Sequence, residues 1–126
     1  MKFMFTIHHD EKVLDAMPEG ERQALVDSAI EYAEELRRSG HFIVSHALQR
    51  TPTARIIRVA TGTVSTTVGP FAETREQLGG FFVVEARDMD EACAIAARFP
   101  PARVAVIEIR PVQDLQHSGD RRGLPN

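Results

Sequence analysis

At the start of the chain Phe3, Phe5 and Ile7 alternate with Met4, Thr6 and His8, a two-residue period that predicts a strand over Lys2–His9. A turn region follows and ends at Met17-Pro18-Glu19-Gly20. From about Glu21 to Ser39 the period becomes helical: Leu25, Ala29, Tyr32, Ala33 and Leu36 form one stripe, widened by Val26 and Ile30. Glu19 and Glu21 at its start and Arg37 and Arg38 at its end complement the helix dipole, and Gly40 is placed to end it. His41 to Leu48 is strand-like, with Phe42 and Val44 opposite Ile43 and Ser45, until Thr51-Pro52-Thr53 interrupts it. Two β-branched runs, Arg55 to Ala60 and Thr63 to Val68, meet at Thr61-Gly62 and read as a hairpin. Gly69-Pro70 breaks the pattern, and Phe71 to Gly79 reads as a polar loop or a short helical turn. Gly80 opens a strongly apolar strand through Ala86. Asp88 then caps a helix, with Glu91 three residues on. That helix runs to about Arg98 on a stripe of Met89, Ala92, Cys93 and Ala96, and Phe99-Pro100-Pro101 ends it. A last strand spans Val104 to Ile109 and continues towards Val112.

The order is β-α-β, an inserted hairpin, then β-α-β, which is the split arrangement of a ferredoxin-like α+β fold. Residues 1–112 make the domain, and 113–126 form a polar tail whose Arg121-Arg122-Gly123 reads as loose. Two helices can cover one face of such a sheet. Yet Phe81 to Val84 and Val104 to Ile107 are apolar at consecutive positions, so both of their faces call for burial. With Phe3, Phe5 and Ile7 on the helices, Met4, Thr6 and His8 look out of the other face. A second copy covering that face, giving a two-fold dimer, is the simplest solution. The alternative is cover by the Phe71–Gly79 loop and the tail of the same chain.

Composition narrows the classes. Of 126 residues, 43% are hydrophobic and 26% charged, which excludes disorder as the main state. A net charge of −3 argues against a protein held on nucleic acid by bulk positive charge. The single cysteine makes no intrachain disulfide, no signal peptide is visible, and no apolar run approaches the ~20 residues of a membrane span. The expectation is a cytoplasmic protein.

His8, at the end of a central strand, and His46, placed by the alternation with Phe42 and Val44, are candidate general acids or bases. The favoured alternative for each is a partly buried histidine hydrogen-bonded to backbone or water. His9-Asp10 is adjacent on an extended strand and reads as a turn contact, and His117 as a solvated tail residue. Glu73 and Phe71 lie in the loop that Gly69-Pro70 redirects, where they either reach over a cleft opening or serve structure alone. Glu85 interrupts an apolar strand, as Glu108 with Arg110 does in the last one. Each either faces a polar cleft or pairs with Arg58, Arg103 or Arg110. Cys93 reads as a small buried hydrophobe, and Gly79-Gly80 leads into a strand and so is no phosphate loop. His8, His46 and Glu73 or Glu85 could supply two imidazoles and a carboxylate to a metal. They come from separate strands without diagnostic spacing, so neither a metal site nor a cofactor is assigned.

The segment from Gly69-Pro70-Phe71-Ala72-Glu73-Thr74-Arg75 through Glu76-Gln77-Leu78-Gly79-Gly80-Phe81-Phe82 resembles the signature of YCII-related proteins of the DGPF type. Pro18-Glu19-Gly20-Glu21-Arg22, Ala47-Leu48 and Val106-Ile107-Glu108-Ile109-Arg110-Pro111-Val112 match as well, so the resemblance covers roughly residues 1–112. It implies a dimeric α+β barrel of ferredoxin-like subunits, a bacterial cytoplasmic setting and an association with sigma factors of the extracytoplasmic-function type. The chain departs from the family pattern at Val68 (usually Asp), His8 (commonly Tyr) and His46 (often Glu). It has no His between Glu21 and Ser39 and no Asp between Glu91 and Arg110, so the helix His–Asp dyad of the broader superfamily does not carry over. The reading at this point is a homodimer that binds a small organic molecule in a dimer-associated cleft. Met4, Thr6, Phe71 and Glu85 would contact the ligand, and His8, His46 or Glu73 would transfer protons if it is a lyase, isomerase or hydrolase. The alternatives are a regulatory or interaction protein linked to a sigma factor, and a relative that has lost its site.

Overall fold

A computed structural model of the chain describes residues 1–119. Four strands, β1 (Lys2–His9), β2 (Phe42–Ala47), β5 (Gln77–Glu85) and β6 (Ala105–Pro111), form an antiparallel sheet in the order β2-β5-β1-β6. Helices α2 (Glu19–Arg38) and α3 (Met89–Ala97) lie on one face of it. This is the ferredoxin-like α+β arrangement the pattern predicts. A separate two-stranded sheet, β3 (Arg55–Ala60) with β4 (Thr63–Val68), is inserted between the halves. At its turn Thr61 and Gly62 have φ of 47° and 77°, the left-handed pair that a two-residue hairpin turn requires.

The core sits between the sheet and the helices. Phe3, Phe5 and Ile7 meet Val84 and Phe82 across β1 and β5, under Tyr32, Ala33 and Leu36 of α2 and Ala92, Ile95 and Ala96 of α3. The Tyr32 hydroxyl donates to the Ile95 carbonyl at 2.7 Å and ties the two helices together through the interior. Burying a phenol without such a partner would cost about 1–3 kcal/mol. Phe99, just past α3, packs edge-on against Phe82 at 5.2 Å and closes the end of the core.

Several local expectations are corrected. The region before Met17 is helical, α1 (Glu11–Ala16), started by the Asp10 carboxylate, which accepts from the Lys12 amide at 3.0 Å. Six residues with Leu14 alone buried are too few to show a period. β5 begins at Gln77 and not Gly80, because its pairing with β1 continues past the two glycines to His9. The buried stripe of α3 is Ala92, Ile95 and Ala96, which leaves Cys93 and Met89 exposed. Val104 belongs to a 3-10 turn before β6. An irregularity in β2 between Phe42 and Val44 sets Phe42 opposite Val84 on the helix side, while Val44 and His46 oppose Val83 and Phe81 on the outer side. Phe42 therefore does not share a face with Val44 and His46. The Arg121-Arg122-Gly123 segment lies outside the described residues.

Candidate functional site

One stripe of α2, from Arg22 through Val26, Ala29, Ile30 and Ala33 to Arg37, faces the half of the sheet made by β2 and β5. Ala29 and Ala33 are too small to fill the space beneath them, and a cleft of about 560 Å³ remains between helix and sheet. Val26 and Ile30 border it and stay 45% and 55% exposed, an unusual exposure for branched aliphatic side chains on a core-facing stripe. Phe82, Phe99 and Ile7 form its floor and inner end.

Into this apolar space the sheet delivers His9. The alternation that buries Phe3, Phe5 and Ile7 carries His9 to the same face at the open end of β1. The pairing of β1 with β5 is irregular there: Ile7 opposes Gly80 and His8 opposes Leu78, which leaves Gly79 as the extra residue. A Cβ on Gly79 would coincide with Cε1 and Nε2 of the His9 ring, so the imidazole occupies the space that glycine leaves free. Burial holds the His9 pKa below its ordinary 6.5, and the nearby Arg50 guanidinium pushes it the same way, with Glu11 opposing and His8 adding slightly. At neutral pH the ring is an uncharged base.

Arg50 reaches the cleft from the chain leaving β2 and is oriented by Asp15 of α1, with Nη2 and Nε at 3.1 and 3.3 Å from Oδ1. Glu11, one turn earlier on α1, accepts from the Thr51 amide at 3.0 Å and the Thr51 hydroxyl at 2.6 Å. The short helix thus anchors the segment that carries Arg50. Arg22 donates through Nη1 to the Leu14 carbonyl at 3.2 Å at the same end. Arg37 lies over the Phe42 ring, 4.2 Å from its centroid, at the other end of the stripe. Among the described residues the cleft wall holds three arginines and no carboxylate.

The residues singled out from the sequence fall elsewhere, with one exception. His46 borders the cleft as part of β2, but its ring packs beside Phe81, 5.8 Å between centroids, on the outer face. His8 shares that outer face with Met4 and Thr6, and its Nε2 lies 2.9 Å from the Thr6 hydroxyl. Glu85 pairs with the N-terminal amine of Met1 at 2.8 Å and not with an arginine, and that hydrogen bond pulls its pKa down. Phe71 is 73% exposed beneath the Arg58 guanidinium, and Glu73 is exposed in the same loop. The structure therefore does not bring His8, Glu73, Phe71 and Glu85 together. His9, Arg22 and Arg50 are the cleft residues that sequence reasoning passed over. The signal for His9 was present, since strict alternation from Phe3 places it on the helix-covered face.

The YCII-related domain profile matches residues 1–116. The chain belongs to the YCII-related domain family. An uncharacterized protein of Rhizobium meliloti (strain 1021) is 27% identical to this YCII-related chain over 114 residues, covering 89% of it and 92% of the relative. Among solved structures, the 5-chloro-2-hydroxyhydroquinone dehydrochlorinase TftG of Burkholderia phenoliruptrix AC1100, in complex with 2,5-dihydroxybenzoquinone, superposes with a TM-score of 0.54. The match covers 90% of this chain and 95% of that one at 15% identity, a likeness of fold. Among the described residues of the YCII-related chain, no group of three or more His, Cys, Asp or Glu side chains is arranged to hold a metal ion. No described helix is long and apolar enough to cross a membrane.

The glycine at 79 makes a testable demand. Gly79→Ala should drive the His9 ring out of the cleft and return its titration upward towards 6.5, as followed by NMR of the imidazole carbons. In the parent protein the unfolded chain binds a proton at His9 that the folded chain resists. Stability should therefore fall as pH drops through 6.5, and this loss should shrink in the variant. An unchanged His9 titration in Gly79→Ala would remove the packing argument.

Proposed function

We propose that this protein binds a small organic molecule in the cleft between α2 and the sheet, and that His9 accepts and returns a proton on that molecule. The observation that carries the reading is the His9 imidazole at the open end of an apolar cleft whose charged wall groups are arginines, where burial disfavours its protonated form. A neutral base there can take a proton from an acidic C–H or O–H. The arginines would hold the electron-rich species that results, and His9 would give the proton back at another atom or to a leaving group. That is the chemistry of a lyase or an isomerase. The bound hydroxyquinone of TftG shows that a protein of this fold takes up a molecule of that size, which supports the reading without transferring the reaction. Filling the cleft tests it. Binding of aromatic and aliphatic hydroxy acids, followed by saturation-transfer NMR, should be lost in Ala29→Phe while the melting temperature is kept within a few degrees. Binding that survives in the filled variant would place the site elsewhere.

The reading includes a homodimer, in the cytoplasm, formed through the outer face of the sheet. Val44, Phe81, Val83, Met4 and Val106 share that face. Phe71 of the loop and Leu115 beyond β6, which could have covered it, are themselves exposed. His8 and Thr6 would then lie in the interface. Val106, 53% exposed, bears no load in the single chain. Val106→Asp should therefore fold normally and sediment as a monomer where the parent sediments as a dimer. A monomeric parent would sink the dimer.

A second reading, a protein-interaction role, draws on the β3–β4 hairpin. Ile57, Val59, Val64 and Val68 share one of its faces and are all 58–68% exposed. The partner implied by the family resemblance is a sigma factor. Calorimetric titration with a purified sigma factor of the extracytoplasmic-function type should show binding that Val59→Glu abolishes, and no heat with the parent protein would end this reading.

A further inference from the structure

The charge distribution of the cleft specifies its ligand more closely. Resting on the reading that the cleft is a binding site, we infer that its ligand is an organic anion, an apolar or aromatic body whose acidic group sits at the end of the cleft formed by Arg22, Arg50 and His9. Arg22 and Arg37 are fifteen residues apart on α2, about 22 Å along the axis, and so stand at opposite ends of the cleft. The two ends must therefore be judged separately. At the Arg37 end the guanidinium is stacked on Phe42. At the other end two guanidinium groups and an imidazole converge from three different elements, α2, the chain after β2, and β1.

The arginines at that end are held with donors to spare. Arg22 uses Nη1 on the Leu14 carbonyl, and among the described residues it makes no ion pair. Arg50 uses Nε and Nη2 on Asp15, which leaves Nη1 free of these bonds. The acidic groups nearby do not enter the wall. Asp15 is 64% exposed behind Arg50, and both Glu11 oxygens are taken by Thr51. Their effect is to fix the guanidinium of Arg50 at the cleft mouth, as a hydrogen-bonded carboxylate does for a bidentate arginine. A ligand entering here meets the guanidinium groups of Arg22 and Arg50 and apolar walls, while the nearest carboxylates, Asp15 and Glu11, are engaged by Arg50 and Thr51. A neutral ligand of the same shape would leave the spare guanidinium donors unpaired on desolvation, whereas a carboxylate or an ionised phenol would satisfy them. His9, uncharged, then lies beside the acidic group, where it can take a proton from an atom adjacent to it without itself competing for the anion.

The matched probes 2-naphthoate and 2-naphthamide, which differ in charge and little in shape, separate this inference from the reading beneath it. Occupancy is read from the His9 imidazole signals in the full-length protein. The naphthoate should bind at least about tenfold more tightly than the amide, the worth of one charge-assisted hydrogen bond. Arg22→Gln and Arg50→Gln should each remove most of that preference, weakening naphthoate binding far more than any change in amide binding, and Arg50→Lys should restore part of it. A melting curve for each variant confirms that it is folded. Equal binding of both probes, or a preference indifferent to both arginines, overturns the anion assignment while the cleft remains a binding site. No shift of the His9 signals by either probe at millimolar concentration overturns the cleft reading and the assignment together.

Discussion

The packing of one face of the sheet against two helices is the constraint from which the other features follow. Phe3, Val84 and Ile95 are almost fully removed from water at the centre of that packing, and burying side chains of this size stabilises by about 2–3 kcal/mol each. Because side chains alternate along a strand, fixing Phe3, Phe5 and Ile7 against the helices fixes the side on which every other residue of β1 emerges. His8 and His9 are neighbours in the chain and emerge on opposite sides, one towards the outer face and one into the cleft. A shift of one residue would exchange them, and it would also expose three core side chains, so the core enforces the placement of His9.

Cover by α2 is uneven, and the unevenness makes the cleft. Tyr32, Ala33 and Leu36 press on the sheet where α3 supports them from the other side. Towards its N-terminal half α2 presents Ala29 and the half-exposed Val26 and Ile30, over the part of the sheet that α3 does not reach. The small helix α1 compensates at that end without filling it. Leu14 is buried there, its carbonyl holds Arg22, and Glu11 and Asp15 hold Thr51 and Arg50. Carboxylates four residues apart on one helical turn thus define the charged mouth while standing outside it.

Most of the fold was legible in the sequence, because long periodic segments express one burial requirement many times over. The stripe of α2, the alternation of β1 and the hairpin at Thr61-Gly62 each repeat their signal across several residues. What escaped was carried by single residues or by register. α1 offers one buried side chain, so nothing in its sequence distinguishes it from a turn. The irregularity between Phe42 and Val44 changes which face two residues share, and only the partner strand reveals it. The site suffered most from this. His8 drew notice because its face needed cover, while His9 was read through its neighbour Asp10, which in fact turns away to cap α1. Arg22 and Arg50 looked like ordinary surface charges, since their convergence depends on α1 and on the course of the chain after β2.

The bulge in β5 shapes the mouth of the cleft. In a regular ladder with Ile7 opposite Gly80, His8 would face Gly79 and His9 would face Leu78. The branched side chain of Leu78 would then rise beside the imidazole on the helix side and occupy the mouth of the cleft. The extra residue moves Leu78 across to the outer face opposite His8 and leaves Gly79, which has no side chain, against the His9 ring. Gln77, now opposite His9, is held by its amide to the Ala72 and Thr74 carbonyls at 2.7 and 3.0 Å, so the loop after the hairpin secures the shifted register. One inserted residue therefore opens the cleft, seats the His9 ring and adds an apolar side chain to the outer face of the sheet.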